Sequence, residues 1–458
     1  MTRERITSML KWTGIVVVGL AVIYAVFLVG STIQLRRAYA DLAKEGRPMR
    51  AEEVIPAQVP DGENAALLYQ SAILRLKAEP AGEENLLERL GGLSNRSLDE
   101  PLDPNEQGEL DRLLQSPCLE QALGILEEGS RRPQCRFDLD YDKGLGIQFG
   151  HASGLHNITS ILCAKADGEA SRGDGARAWQ TLETTLRLAE ALRSEPFLLS
   201  QAVRMSHIRK ALATLQRLCQ ESPPGPQQIA ACNNLLKTLD DEGPYIAALD
   251  GERLLFGEWV FRLRRSDLRS LSEALREEES WESWSLWLGW PCKPLLQVDH
   301  ATYLRAMHTH MQTVQGPYTY AGMARVGQAI DGLPWYARAT KSIIPSMVIA
   351  VRHLESKALV RVTLVGLAAL SYRQAHTVFP EDIDALGLQD LVDPFSGQSP
   401  VYRPEGEGFI VYSVGPDQKD NSATPRPKDR GDPNYREGWD IVWRYPGPGV
   451  QANPVDRQ

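Results

Sequence analysis

WTGIVVVGLAVIYAVFLVGSTI, residues 12 to 33, is a run of twenty-two residues without one charge. At about 1.5 Å of rise per residue a helix of that length crosses a hydrocarbon core of roughly 30 Å. The stretch therefore reads as a single transmembrane helix, with everything after it folding in water. No other segment matches it: Ala358 to Leu370 is apolar, but Arg361 interrupts it and His353, Glu355 and Lys357 flank it, the pattern of a buried or amphipathic helix. A cleaved signal peptide is the rival reading, because Ala38-Tyr39-Ala40 has the small-x-small form of a cleavage site. Against it, the apolar run exceeds the ~7–15 residues of such a peptide, and Arg36-Arg37 stand between the run and that site. Positive charge does not orient the helix, since Arg3, Arg5 and Lys11 on one side face Arg36, Arg37, Lys44, Arg47 and Arg50 on the other. The layout of a short tail, one apolar helix and a large domain places residues 34 to 458 on the extracytoplasmic, periplasmic side.

Beyond the anchor, Gln34 to Lys44 continues as a charged helix, and Val54 to Asp61 (VIPAQVPD) is a proline-punctuated linker. Asp61 is the expected cap of an amphipathic helix from Asn64 to Lys77, which Pro80 stops. The middle third predicts helical hairpins. Leu155 to Glu169 is one periodic segment, Gly173-Asp174-Gly175 turns it, and Ala176 to Leu192 follows. A third helix starts after Pro196 and runs to about Cys219, and SPPGP at 222 to 226 introduces a fourth with a stripe of Ile229, Cys232, Leu235, Leu236 and Leu239. The rhythm is repeat-like, similar to tetratricopeptide hairpins without their full consensus. Trp281, Trp284, Trp287 and Trp290 recur every third residue. A step of about 300° fans them round a helix, so they read as a loop packed under the body or as an aromatic wedge for a membrane or partner.

With 43% hydrophobic and 24% charged residues the chain has ordinary globular content, and a net charge of −9 without a clustered basic face excludes a nucleic-acid partner. The six cysteines, Cys118, Cys135, Cys163, Cys219, Cys232 and Cys292, contain no Cys-x-x-Cys pair. They read as buried thiols, with Cys118–Cys135 the first choice if a disulfide forms. Catalytic signatures come only as near misses. Gly150-His151-Ala152-Ser153-Gly154 displaces the serine of a nucleophile elbow by one position, and Gly144, Gly146 and Gly150 miss the dinucleotide spacing and read as a turn. His300, His308 and His310 share a helix from Asp299 to Gln312, but at about 100° per residue they point apart and cannot converge on one ion.

From about Ala358 the pattern changes to a helix ending near His376, a hairpin of Ser399 to Arg403 and Gly408 to Val414 around Pro404 to Glu407, a polar loop from Gly415 to Gly438, and a last strand at Trp439 to Trp443. The words Tyr372 to Pro380 (YRQAHTVFP), Asp393 to Tyr402 (DPFSGQSPVY) and Tyr412 to Asp417 (YSVGPD) occur in the order of the globular domain of type II secretion pseudopilins, which this end of the chain resembles. The resemblance implies a small antiparallel sheet and a calcium loop, with Asp417, Asp420 and Asp440 as the matching ligands. The anchor departs from the pseudopilin pattern, having no acid in its apolar segment, and some three hundred residues part it from this end. Processing or polymerisation as a pilin is therefore not expected. The whole plan resembles envelope proteins of planctomycetes.

The sequence thus divides into a cytoplasmic tail (1–11), a transmembrane helix (12–33), a juxtamembrane helix and linker (34–60), an all-α helical-hairpin body (61–355), a pseudopilin-like α+β domain with an antiparallel sheet (356–447) and a flexible tail (448–458). The fold class is mainly α. The expected role is a membrane-anchored scaffold that binds a protein partner, linked to the envelope or to secretion. An envelope enzyme with a site scattered through the sequence and an accessory component of a type II secretion-like system are the alternatives. No catalytic or cofactor residue is legible beyond the calcium candidates.

Overall fold

The helix does not stop where the apolar run ends. In the computed structural model, which describes residues 3–99, 102–263, 293–316, 318–388, 390–427 and 438–445, helix α1 extends from Arg3 to Lys44. Ile15, Val18, Ile23 and Val26 are exposed along it, and it is long and apolar enough to cross a membrane. Its last third is part of the folded body. Ser31 Oγ donates to Gln297 Oε1 at 2.7 Å, Tyr39 OH donates to Glu258 Oε1 at 2.6 Å, and His308 Nε2 lies 2.7 Å from Glu45. Ala38 and Leu42 are buried in the same contact, so the small-x-small stretch is the interior of a packed helix.

The first helix of the body is capped three residues later than the linker suggests. Asn64 caps α2 (Ala65–Ala78) by accepting from Ala66 N, in place of Asp61. The short strands β1 (Pro80–Ala81) and β2 (Glu84–Asn85) turn the chain into α3 (Leu86–Asp99), α4 (Pro104–Leu113) and α5 (Pro117–Ser130). Cys118 opens α5 and Cys135 follows its end. A helix of that length holds its ends about 20 Å apart, far beyond the ~7 Å limit between bridged Cα atoms, and both thiols are free. The predicted hairpins follow as α6 (Gly150–Ser171), α7 (Gly175–Ala189), α8 (Leu198–Glu221) and α9 (Pro226–Leu239). Gly173, at φ +83°, makes the first turn in a conformation that side chains resist, and Asp174 caps α7 by accepting from Arg177 N. Then come α10 (Gly243–Gly251), a π-helical turn (Glu252–Gly257), α11 (Glu258–Arg262), α12 (Lys293–Gln315), α13 (Tyr320–Asp331) and α14 (Arg338–Ile343). The tryptophan run at 281 to 290, Cys292 and the tail at 448 to 458 lie outside the described residues.

Helix α15 spans Met347–His376. A boundary between 355 and 356 would fall inside it. Its apolar residues are buried on nearly every face: Val360, Val365 and Leu367 share one core with Leu212 and Leu215 of α8, Leu236 of α9, and Phe409 and Trp443 of the sheet. The sheet, order β3-β4-β5 and antiparallel, consists of Val401–Glu405, Gly408–Ser413 and Ile441–Tyr445. Both predicted strand ends shift. The hairpin closes tightly at Gly406-Glu407 with Gly406 at φ +59°, because Pro404 sits on an edge strand where its missing N–H costs nothing. The last strand begins two residues late because Asp440 is held by the loop before it.

Gly366 is where helix and sheet meet most closely, since a Cβ there would overlap the Trp443 ring. Gly366→Ala is expected to destabilise the protein by about 1–3 kcal/mol through overpacking, more than offsetting alanine's better helix propensity. Because the core is shared, thermal unfolding followed by far- and near-ultraviolet circular dichroism should show both signals moving to lower temperature together.

Candidate functional site

Where α8, α15 and the sheet fail to close completely they leave a groove of about 510 Å³. Its floor is α8, through Ala202, Met205 and Ala213. One wall is α15, through Arg352, Glu355 and Leu359, and the other is the chain around Pro425, Arg426 and Trp439 to Val442. The lining is mainly apolar, with Arg209, Arg352 and Arg426 as its cations. Arg426 lies over the Trp439 ring at 4.6 Å from the centroid, which fixes the aromatic wall. Burial raises the Glu355 carboxyl above its ordinary range, and Arg426, Arg352 and Arg209 partly offset that rise.

The three aspartates expected to bind calcium lie beside this groove, each occupied by hydrogen-bond donors of the loop. Asp440 is buried and accepts from Asn421 N at 3.3 Å and Ala423 N at 2.7 Å; burial pushes its carboxyl up. Asp417 accepts from Lys419 N, Asn421 Nδ2 and Gly438 N, all at 3.0 Å. Burial would raise Asp417, but these bonds outweigh it and hold it below the ordinary value. Asp420 accepts from Tyr412 OH at 3.0 Å and Ser422 N at 2.8 Å. A hard cation needs several oxygens aimed at one point. Here the oxygens are aimed at N–H and O–H groups, and among the described residues no three acids, histidines or cysteines are grouped to hold a metal. Among the described residues each of the three carboxylates is engaged by at least two such donors. Their evident work is conformational: Gln418, Ser422 and Ala423 all have positive φ, a cost that the carboxylate bonds offset.

Several other ionisable groups lie in the core in pairs, while neither ring nitrogen of the buried His207 has a hydrogen-bond partner. Glu195 sits between Ser200, whose Oγ donates to it at 2.5 Å, and His151, 2.8 Å away. The Ser200 hydroxyl donates its hydrogen bond to the carboxylate and not to the imidazole, so the trio is not arranged as a serine nucleophile with a histidine base. Asp250 joins Arg47, at 3.2 Å, to Arg253, at 3.0 Å. Lys357, buried on α15, meets Asp240 at 3.1 Å and Glu242 at 2.7 Å. The three histidines of α12 separate as expected: His300 stacks on Phe261, His308 pairs with Glu45, and His310 faces Tyr245. Gly144, at φ +53°, lies in a 3₁₀ turn, and Gly150 opens α6.

No family model, no curated protein and no solved structure matches the chain. The groove was not visible in the sequence, because its residues come from three segments more than two hundred positions apart at the extremes. The available signal was the charged cluster Arg352, Glu355 and Lys357 near the start of a helix that is otherwise mostly apolar.

Glu252, in the π-helical turn, gives a pH prediction. Burial pushes its carboxyl from 4.5 to about 7, only partly offset by the bond from Leu198 N. Below about pH 4.5 both folded and unfolded chains hold the proton. Between there and about 7 only the folded chain keeps it, so stability falls as pH rises through that window, by at most roughly 3 kcal/mol. Glu252→Gln keeps an acceptor for Leu198 N and should flatten that slope, raising stability at pH 8 in denaturant titrations. An unchanged slope would contradict the assignment.

Proposed function

We propose that this chain is a membrane-tethered binding protein, working on the extracytoplasmic side, whose groove between helical body and sheet holds an acidic, partly apolar segment of a partner protein. The observation that carries the reading is the groove itself: apolar walls, one rigid aromatic, and three arginines placed to meet carboxylates. Supporting the tether is α1, which continues from its apolar run into the body without a break and is packed there through Ser31, Ala38 and Leu42. The resemblance of the C-terminal residues to pseudopilins suggests a secretion filament or its accessory subunits as one class of partner.

One observation favours an enzyme instead. Glu355 is a carboxyl pushed upward in a solvent-open groove, the environment of a proton donor. No histidine, cysteine or lysine is among the described residues lining the groove, so a nucleophile with its base is not assembled there.

The test is cross-linking in intact membranes with tagged full-length protein, comparing the wild type with an Arg352→Ala, Arg426→Ala pair whose helical content is verified. The binding reading expects proteins recovered with the wild type to fall about tenfold or more in the pair, the loss of one or two charge-assisted contacts. Recovery of the same proteins in equal amount, or of none reproducibly from the wild type, would sink it.

A further inference from the structure

We propose that the segment from Trp335 to Lys341 is a second membrane contact, seating the body on lipid headgroups beside the anchor. The inference rests on α1 crossing the bilayer and is independent of the groove. It follows from heights along two parallel helices. Ser31 of α1 bonds to Gln297 of α12, and fourteen residues further on Glu45 pairs with His308 and accepts from Gln312 Nε2. The two helices therefore run side by side, away from the membrane, in nearly constant register.

Asp299 lies two residues past Gln297, about 3 Å along the axis and level with Ile33, the end of the apolar run. Its carboxylate accepts from Ala339 N at 2.8 Å, Thr340 N at 3.2 Å and Thr340 Oγ1 at 2.6 Å, which pins the start of α14 at that height. Leu333, Pro334 and Tyr336 share a surface cleft with Thr302 and Arg305 of α12, level with Arg36 to Tyr39. The loop into α14 thus stands at the polar margin of the bilayer, where Trp and Tyr rings and basic side chains are favoured.

The side chains there suit that location. Trp335 is 71% exposed, more than any described apolar residue of the anchor itself, and meets Tyr336 edge-on with centroids 5.9 Å apart. Arg338 and Lys341 are exposed, while Ala337, Ala339 and Thr340 between them are buried against the body. The segment is held rigidly and presents an aromatic and two cations on its outer face. Cations at that height are attracted to anionic headgroups, and a Trp ring partitions into the interface.

The experiment uses the full chain, its six cysteines replaced by serine, in vesicles of phosphatidylcholine and phosphatidylglycerol. A nitroxide is placed in turn at Trp335→Cys, at Val22→Cys in the anchor, and at Val378→Cys. Val378 is exposed just past the C-terminal end of α15, which starts beside Gly327 at Met347 and runs on past Tyr318 through Ala350 and His353. Collisions with oxygen and with a water-soluble nickel chelate report depth. The expected result is a gain of oxygen over nickel accessibility at 335 relative to 378, in the direction of the label at 22. If 335 is as open to nickel as 378 while 22 remains in lipid, the contact is overturned and the anchor stands. If 22 is itself open to nickel, anchor and contact both fall. Quenching of wild-type fluorescence by brominated lipid, reduced in the single variant Trp335→Phe, checks the result with all cysteines intact; equal quenching would overturn the inference.

Discussion

Everything after the apolar helix α1 depends on how α15 is sheathed. A thirty-residue helix with apolar side chains on nearly every face cannot leave any face in water, and at about 25 cal/mol per Å² of buried apolar surface the drive to cover it is large. Helices α8 and α9 cover one side, α13 another, and the three-stranded sheet closes the rest, with Trp443 fitting against Gly366. Two of the charges within α15 are tolerated because they meet carboxylates from the body. Lys357 and Arg361 converge on Asp240, where the turn after α9 brings its carboxylate to the helix surface. Removing Asp240 would leave Arg361 without its carboxylate and Lys357 with Glu242 alone.

This packing also explains the groove. A sheet and a helical layer have different surface curvature, and the chain before β5 must cross from one to the other. Asp440, with its bonds to Asn421 and Ala423, and Arg426, stacked on Trp439, hold that crossing open over α8. The carboxylates that look like ligands on paper are thus the fasteners of the groove's wall.

The sequence made the local features legible and the assembly illegible. The long apolar N-terminal helix, the hairpins of α6 to α9 and the mainly α class follow from uninterrupted hydrophobicity, 3.6-residue periodicity and the Gly173 and SPPGP turns, all of which act within a few residues. The capping of α2 went to Asn64 instead of Asp61 because the cap is the residue whose side chain reaches the second helical N–H, a matter of one turn of backbone. The shared core was not legible, since apolar residues of α15 look alike whether they face a helix or a strand. Neither was the Cys118–Cys135 separation, which depends on α5 lying straight between them. The aspartates were singled out as calcium ligands; the N–H groups they accept from are set by backbone conformation at Gln418, Ser422 and Ala423, which carries no residue signature.

Native-state hydrogen exchange on the full chain in nanodiscs tests the central claim, that body and sheet are one folding unit. The account expects the amides of β4, Gly408 to Ser413, to be protected to the same free energy as the centres of α8 and α15, exchanging only in the global opening. Exchange of β4 through a separate, lower-energy opening while α8 stays protected would contradict it, and the groove would then lie between two independent parts.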